Sequence, residues 1–197
     1  SMKSSKNNRL KVIEQAIRDA HQYSLQNCGL PLNKMPEYFL GVTIGQAMVE
    51  AFDNFKVRFE MSVQDLLNHL DVQASGEPED RENGRFDVVL LTKSKEIPAH
   101  VIEIKRGVKA GSMAADIRRL ANICRAAQSG SRLETNYFVT VTARSEKVVS
   151  ERPEQLMSAS EEALQNIRLH EPKIILLEHP DGKSVTAAIY EVTYNYS

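Results

Sequence analysis

Apolar residues recur along the chain with two different periods, and these periods predict alternating helices and strands. Ile13, Ile17 and Ala20 repeat at the spacing of one helix face, whereas residues 55–61 alternate as the two faces of a strand do. Over the whole chain, the pattern predicts helices at 8–26, 36–52, 62–70, 113–128 and 153–169 and strands at 55–61, 86–91, 97–104, 137–141, 173–177 and 185–194. We therefore expect an α/β fold in which a mixed central β-sheet is flanked by helices.

Three residues mark expected helix starts. Pro36 and Pro153 each suit the first turn of a helix, where a backbone N–H has no partner to lose. Ser62, with Asp65 three residues later, is typical of a side chain that caps a helix N-terminus. We expect helices to begin at these three positions.

No repeat, low-complexity tract or long Pro/Gly-rich linker divides the chain, so we expect residues 1–197 to form a single domain. Its parts are a helical N-terminal extension over 1–35, a core over 36–142, and a C-terminal helix with strands over 143–197. The acidic, turn-rich segment 71–84 interrupts the core and is expected to be a surface loop.

Composition and charge exclude several classes of protein. With 25 basic and 26 acidic residues the net charge is -1, which argues against a strongly basic protein that coats nucleic acid nonspecifically. No stretch is apolar and long enough to span a membrane, and polar residues follow Met2, so we expect a soluble, cytoplasmic protein. Cys28 and Cys124 lie far apart and the five histidines are scattered, which leaves no zinc or disulfide pattern. Motifs of serine hydrolases, P-loop NTPases and dinucleotide-binding enzymes are also missing.

Three charged residues, Asp87, Glu103 and Lys105, lie in the otherwise apolar strands of the central hairpin. If the hairpin closes symmetrically about residue 95, Asp87 lies opposite Glu103, and the two-residue period places Lys105 on the same face. Opposed carboxylates, with β-carbons about 5 Å apart, repel each other unless a cation lies between them. Mg²⁺ prefers such a site, which supplies one or two carboxylates and leaves room for water and phosphate oxygens. The pattern therefore indicates metal-assisted hydrolysis of a phosphodiester, in which Lys105 orients water or stabilises charge on the phosphate.

The segment GRFDVVL over 84–90, followed by VIEIKR over 101–106, resembles the PD-(D/E)xK nuclease superfamily, which has the restriction-endonuclease-like fold. The superfamily motif is an Asp at the start of one strand and Glu-x-Lys at the end of its hairpin partner. The resemblance extends, in the order of the elements, over residues 36–142. Phe86 stands where the motif has proline, a difference that removes no functional group.

The resemblance implies a role for each residue of the motif. Asp87 and Glu103 would bind Mg²⁺ or Mn²⁺, the carbonyl of Ile104 would also coordinate, and Lys105 would be catalytic. Many members add a Glu from a preceding helix, and Glu37, at the start of the second predicted helix, resembles that residue. In this interpretation Glu37 completes the metal site.

Glu50 is the alternative to Glu37, because it lies nearer to the first predicted strand, 55–61. Each residue also has a purely structural interpretation. Glu37 suits the first turn of a helix, where the helix dipole favours an acid, and Glu50 suits a solvent-facing position. The sequence does not decide whether Glu37 or Glu50 supplies the third carboxylate.

Basic residues are concentrated after the motif. Between 105 and 125, six basic residues oppose one acidic residue, Asp116, so the local charge is +5. Candidates for contact with nucleic-acid phosphates are Arg85, Arg106, Lys109, Arg118 and Arg125. The alternative is an ordinary solvated helix face on which Asp116 pairs with Arg119.

We therefore expect a Mg²⁺- or Mn²⁺-dependent endonuclease in which metal-activated water hydrolyses nucleic acid, with DNA as the favoured substrate. One alternative is a catalytically silent module that binds nucleic acid or protein on the same fold. Another is a plain salt-bridged strand face, which predicts no metal affinity. Cutting both strands of a duplex calls for two active sites, so a homodimer is the expectation for that substrate.

Overall fold

Five α-helices and seven β-strands build the part of the chain that the structure, a computed structural model, describes: residues 2–70, 84–127, 133–158 and 161–196. The helices are α1 (Lys6–Tyr23), α2 (Glu37–Ala51), α3 (Val63–His69), α4 (Ala110–Ala126) and α5 (Glu146–Met157). The strands are β1 (Phe55–Ser62), β2 (Arg85–Thr92), β3 (Pro98–Arg106), β4 (Thr135–Thr142), β5 (Ile167–Leu169), β6 (Lys173–Leu177) and β7 (Val185–Tyr194). Of the loop expected over 71–84, residues 71–83 lie outside the described residues.

Serine side chains fix three of the helix starts. Ser62 accepts a hydrogen bond from the Asp65 N–H, as expected, and Ser5 and Ser145 cap α1 and α5 in the same way. Pro36 immediately precedes α2, which confirms the start of that helix.

The helix expected over 153–169 is wrong in both its start and its end. α5 begins at Glu146, so Pro153 lies inside it, and residues 167–169 form strand β5. A proline inside a helix leaves the carbonyl four residues earlier without its N–H donor. Here the Tyr190 hydroxyl from β7 donates to the Val149 carbonyl at 2.8 Å and replaces that donor. The sequence of α5 alone does not show this partner.

The strands form one mixed sheet, in the order β1-β2-β3-β4-β7, with β5 and β6 both pairing with the remaining edge of β7. Only β3 and β4, among the described strands, run parallel. The mixed α/β sheet predicted from the sequence is therefore confirmed.

Helices cover both faces of this sheet and create two apolar cores. α1 and α2 pack on one face, and α3, α4 and α5 pack on the other. Along β3, Ile102 and Ile104 contribute to the core beneath α2, whereas Val101 contributes to the core beneath α4. This alternation turns Glu103 and Lys105 toward α4. None of the described helices combines the length and apolarity needed to cross a membrane.

Candidate functional site

The β2–β3 ladder opens at the end where the charged residues lie. Its pairing ends with Val88 opposite Ile102. One further step in the same register places Asp87 opposite Glu103, as predicted from the sequence. Beyond that point side chains replace the ladder bonds: the Asp87 N–H donates to Glu103 Oε2 at 3.2 Å, and the Ile104 N–H donates to Asp87 Oδ2 at 2.7 Å. Main-chain groups therefore hold both carboxylates in the opening between the strands.

Glu103 is buried in this opening and is only 2% exposed. Its Oε1 accepts a hydrogen bond from Arg119 Nη2 of α4 at 2.9 Å. Burial raises the pKa of Glu103 well above its usual range, the neighbouring Asp87 carboxylate raises it further, and Arg119 opposes both effects. The carboxylate pair therefore favours a bound proton or an additional cation beside Arg119.

Lys105 is held by an acid on α4, the helix that also carries Arg119. Its Nζ lies 2.8 Å from Asp116 Oδ2, and Arg119 Nη2 also contacts Asp116 Oδ1 at 3.2 Å. Burial lowers the pKa of Lys105, but the hydrogen bond and charge of Asp116 outweigh it, so the pKa is raised overall. Lys105 is therefore protonated at neutral pH, which suits it to stabilise negative charge rather than to accept a proton.

Glu37 reaches the same end of β3 from the start of α2. Its Oε1 accepts a hydrogen bond from the Arg106 N–H at 3.1 Å, and its charge helps to raise the pKa of Lys105. Glu50 instead lines a cavity between α1 and α2. Of the two candidate acids, the structure brings Glu37 to the motif.

The charge and donor chemistry of the site fit one divalent cation. Four acidic side chains and two basic ones meet here, which leaves two formal negative charges: Glu37, Asp87, Glu103 and Asp116 against Lys105 and Arg119. In the described ranges, no three His, Cys, Asp or Glu side chains gather closely enough to hold a metal by themselves. The fit is therefore to two protein carboxylates completed by water and phosphate oxygens, as Mg²⁺ prefers. Ligation by Glu37 and by the Ile104 carbonyl stays a prediction.

The predicted phosphate-binding residues divide into two groups. Arg118 forms a two-point ion pair with Glu161, at 2.6 and 2.9 Å, and Arg125 donates to Asn122 and to the Ala163 carbonyl. Phosphate contact by Arg118 would require its ion pair to break. Lys109 and the side chain of Arg106 are exposed close to the motif, and the Arg85 guanidinium donates to the Glu60 carbonyl of β1. Contact between these residues and nucleic-acid phosphates stays a prediction.

Asp116 and Arg119 belong to the site although the sequence assigned them only to a solvated helix face. Each comes one residue before a buried apolar residue of α4, Ile117 and Leu120 respectively. The Arg119 guanidinium also lies over the ring of Phe86, 5.3 Å from its centroid. An acid and a base three residues apart, beside the apolar stripe of the helix after Glu-x-Lys, are the signal that locates them.

The resemblance to the PD-(D/E)xK nucleases thus depends on Asp87, Glu103 and Lys105 and on the hairpin that carries them. The structure adds Asp116 and Arg119 as their partners. Comparisons of the chain with protein-family models, with curated proteins and with solved structures found no match.

Proposed function

We propose that this protein is a metal-dependent nuclease that hydrolyses phosphodiester bonds of nucleic acid. One observation carries the proposal: the carboxylates of Asp87 and Glu103 share an opening in the hairpin, where burial and the neighbouring Asp87 raise the pKa of Glu103. A module without a cation partner has no physical reason to keep such a pair, because burial and mutual repulsion both disfavour it.

Asp87 and Glu103 are the residues that would hold Mg²⁺ or Mn²⁺. When bound, such an ion activates water and neutralises charge on a phosphate. The residues around the pair have separate tasks. Protonated Lys105 stabilises negative charge on the phosphate, and Asp116 positions Lys105 through their 2.8 Å contact. Arg119 holds Glu103 in the opening.

Nucleic acid is the phosphodiester that the surrounding charge favours. Arg106 directly follows Lys105, and Lys109 immediately precedes α4, so two exposed cations lie within four residues of the motif. Cations in such positions contact the phosphates that flank the reacting one. We take DNA as the first substrate to test.

The test combines metal binding with cleavage. Calorimetric titration with Mn²⁺ should show binding to the wild type and to Lys105→Ala, and loss of binding in Asp87→Asn. Cleavage of plasmid, single-stranded and branched DNA and of RNA with Mg²⁺ or Mn²⁺ should disappear in both variants and in chelator. Glu50→Gln is the matched control, because Glu50 lies away from the hairpin opening. Equal cleavage by wild type and Asp87→Asn would refute the proposal.

A second function is favoured by one observation, the two ion pairs that already engage the site. Arg119 neutralises part of the charge of Glu103, and Asp116 engages Lys105, so the scaffold is compatible with a catalytically silent module that binds nucleic acid or protein. This alternative predicts no cleavage by the wild type under any of these conditions, with nucleic-acid or protein binding retained. The cleavage assay separates the two functions, and the absence of Mn²⁺ binding would indicate a plain salt-bridged strand face.

A further inference from the structure

A cavity of about 300 Å³ lies beside α2 and reaches Asp87, one member of the carboxylate pair. It is formed by α2, β1 and the start of β2, and Asp87 contributes to its wall. The complete lining is Tyr38, Gly41, Val42, Phe59, Glu60 and Asp87. A molecule bound in this cavity would therefore contact Asp87, a proposed metal ligand.

An unusual backbone conformation in β1 builds this cavity. Neighbouring residues of a regular strand point to opposite faces, yet Phe59 and Glu60 both line the cavity. Glu60 has a φ of 49°, in the left-handed region that residues other than glycine seldom adopt. The Arg85 guanidinium donates to the Glu60 carbonyl at 3.0 Å and supports this conformation. Strain of this kind is retained most often at functional sites.

Phe59 is held against α2 at a position where only glycine fits. A β-carbon on Gly45 would lie 2.4 Å from Cε1 of the Phe59 ring, so the ring rests directly on the helix backbone. Although it is supported in this way, Phe59 remains 37% exposed, and Tyr38 is 67% exposed. Two large aromatic side chains thus stay open to solvent beside a cavity, where burial would otherwise be favourable.

The charges of the cavity select what can enter it. Glu60 and Asp87 both contribute acids, so a phosphate or other anion is repelled from the space between them unless a cation intervenes. The rings of Tyr38 and Phe59 favour an uncharged, flat, aromatic group, and Gly41 adds no side chain that would obstruct it. A nucleobase has these properties, and its exocyclic amino groups can donate to a carboxylate.

We propose that the cavity binds one nucleobase of the strand to be cut, stacked on Tyr38 and Phe59 beside the phosphate held at Asp87. This inference rests on the proposed nuclease function and specifies its substrate class. A base inside a duplex must leave its stack to reach such a pocket, which costs free energy. The preferred substrate is therefore nucleic acid with unstacked bases: single strands, frayed ends or flaps.

Equilibrium binding without cleavage tests the pocket. The full chain carrying Lys105→Ala, which should bind Mn²⁺ but not cleave, is titrated in Mn²⁺ with a single-stranded oligonucleotide that carries the fluorescent base 2-aminopurine, whose emission falls on stacking. The pocket variants are made in the same background. Tyr38→Ala should weaken binding by about 5- to 150-fold, the range expected for one stacked base, and should abolish the quenching. Phe59→Leu, as a second variant, should act in the same direction. Tyr23→Ala is the matched control, because Tyr23 is a similarly exposed tyrosine, 54%, that does not line the cavity.

Cleavage in Mn²⁺ then separates this proposal from the proposed function. The wild type should cut the single strand faster than the matching duplex, and Tyr38→Ala should lose that preference. If both pocket variants bind and quench like Tyr23→Ala, the base pocket is refuted even though the nuclease stands. If the wild type cuts nothing while quenching depends on Tyr38, the nuclease fails and the base pocket stands. If the wild type neither cuts nor binds, both are refuted.

Discussion

Replacing Arg119 by methionine tests whether buried Glu103 depends on a neighbouring cation. Methionine keeps an apolar stem beside Phe86 but removes the hydrogen bond to Glu103 Oε1, which is 2.9 Å long. Removing one partner of a buried ion pair typically costs about 3–5 kcal/mol, because the other charge stays buried and uncompensated. Glu103, at 2% exposure, meets that condition. We therefore expect Arg119→Met to lower the free energy of unfolding by about that amount at pH 8 in EDTA.

Urea unfolding measures this cost against Arg58→Met as a matched control. Arg58 lies 3.8 Å from Asp65, and both side chains are about half exposed, at 48% and 53%. Exposed pairs contribute less than about 1 kcal/mol, so the control should change stability only slightly.

The pH dependence has a defined sign. The folded-state pKa of Glu103 is raised, so its contribution to stability is present below the unfolded pKa and is lost as pH rises through the folded pKa. Loss of Arg119 raises that pKa further, so the cost of Arg119→Met should be larger at pH 8 than at pH 5. Saturating Mn²⁺ should recover about 2.7 kcal/mol at 100 times its Kd. A cost equal to that of Arg58→Met at both pH values would refute the reasoning.

Three further predictions concern groups at and away from the carboxylate pair. Mn²⁺ affinity, measured by calorimetry, should rise as pH rises through the raised pKa of Glu103, because the ion and a proton compete for that carboxylate; a constant affinity would contradict this. Tyr190→Phe should cost about 1–3 kcal/mol in urea unfolding, and clearly less in a Pro153→Ala background, where a new N–H can bond the Val149 carbonyl; equal costs would exclude the proposed replacement. Burial lowers the pKa of His100 to about 4, so its contribution to stability is present above about pH 6.5 and is lost as pH falls toward 4. Relative to His100→Gln, the wild type should lose about 2–3 kcal/mol between pH 7 and pH 4.5, and parallel stability curves would rule this out.

Local pattern was sufficient to predict the hairpin and the register at its charged end, but not the one-residue shift of that register between Leu90 and Leu91. Apolar runs with charged residues at Asp87 and Glu103 fix which residues oppose each other, since a one-residue slip would move every side chain to the other face. The cap at Ser62 was equally accessible, because both groups of the hydrogen bond lie within one turn.

Features that depend on partners distant in the chain were not accessible. The course of α5 through Pro153 depends on the Tyr190 hydroxyl, 41 residues from Val149. The face of α4 that meets the site depends on how that helix docks on β3. The aromatic cavity depends on the left-handed backbone at Glu60, a residue type that gives no signal of that conformation.

The left-handed backbone conformation at Glu60 also affects how the sheet can associate with other chains. Among the described strands, β1 lies at one end of the sheet, where a free edge is a template for pairing with a further strand. Its exposed residues include Lys56, Arg58 and Glu60, and the left-handed backbone at Glu60 departs from regular strand geometry. Charge and irregular geometry thus protect this edge from intermolecular strand addition. We therefore predict that two copies acting on opposite strands of a duplex would associate through another surface.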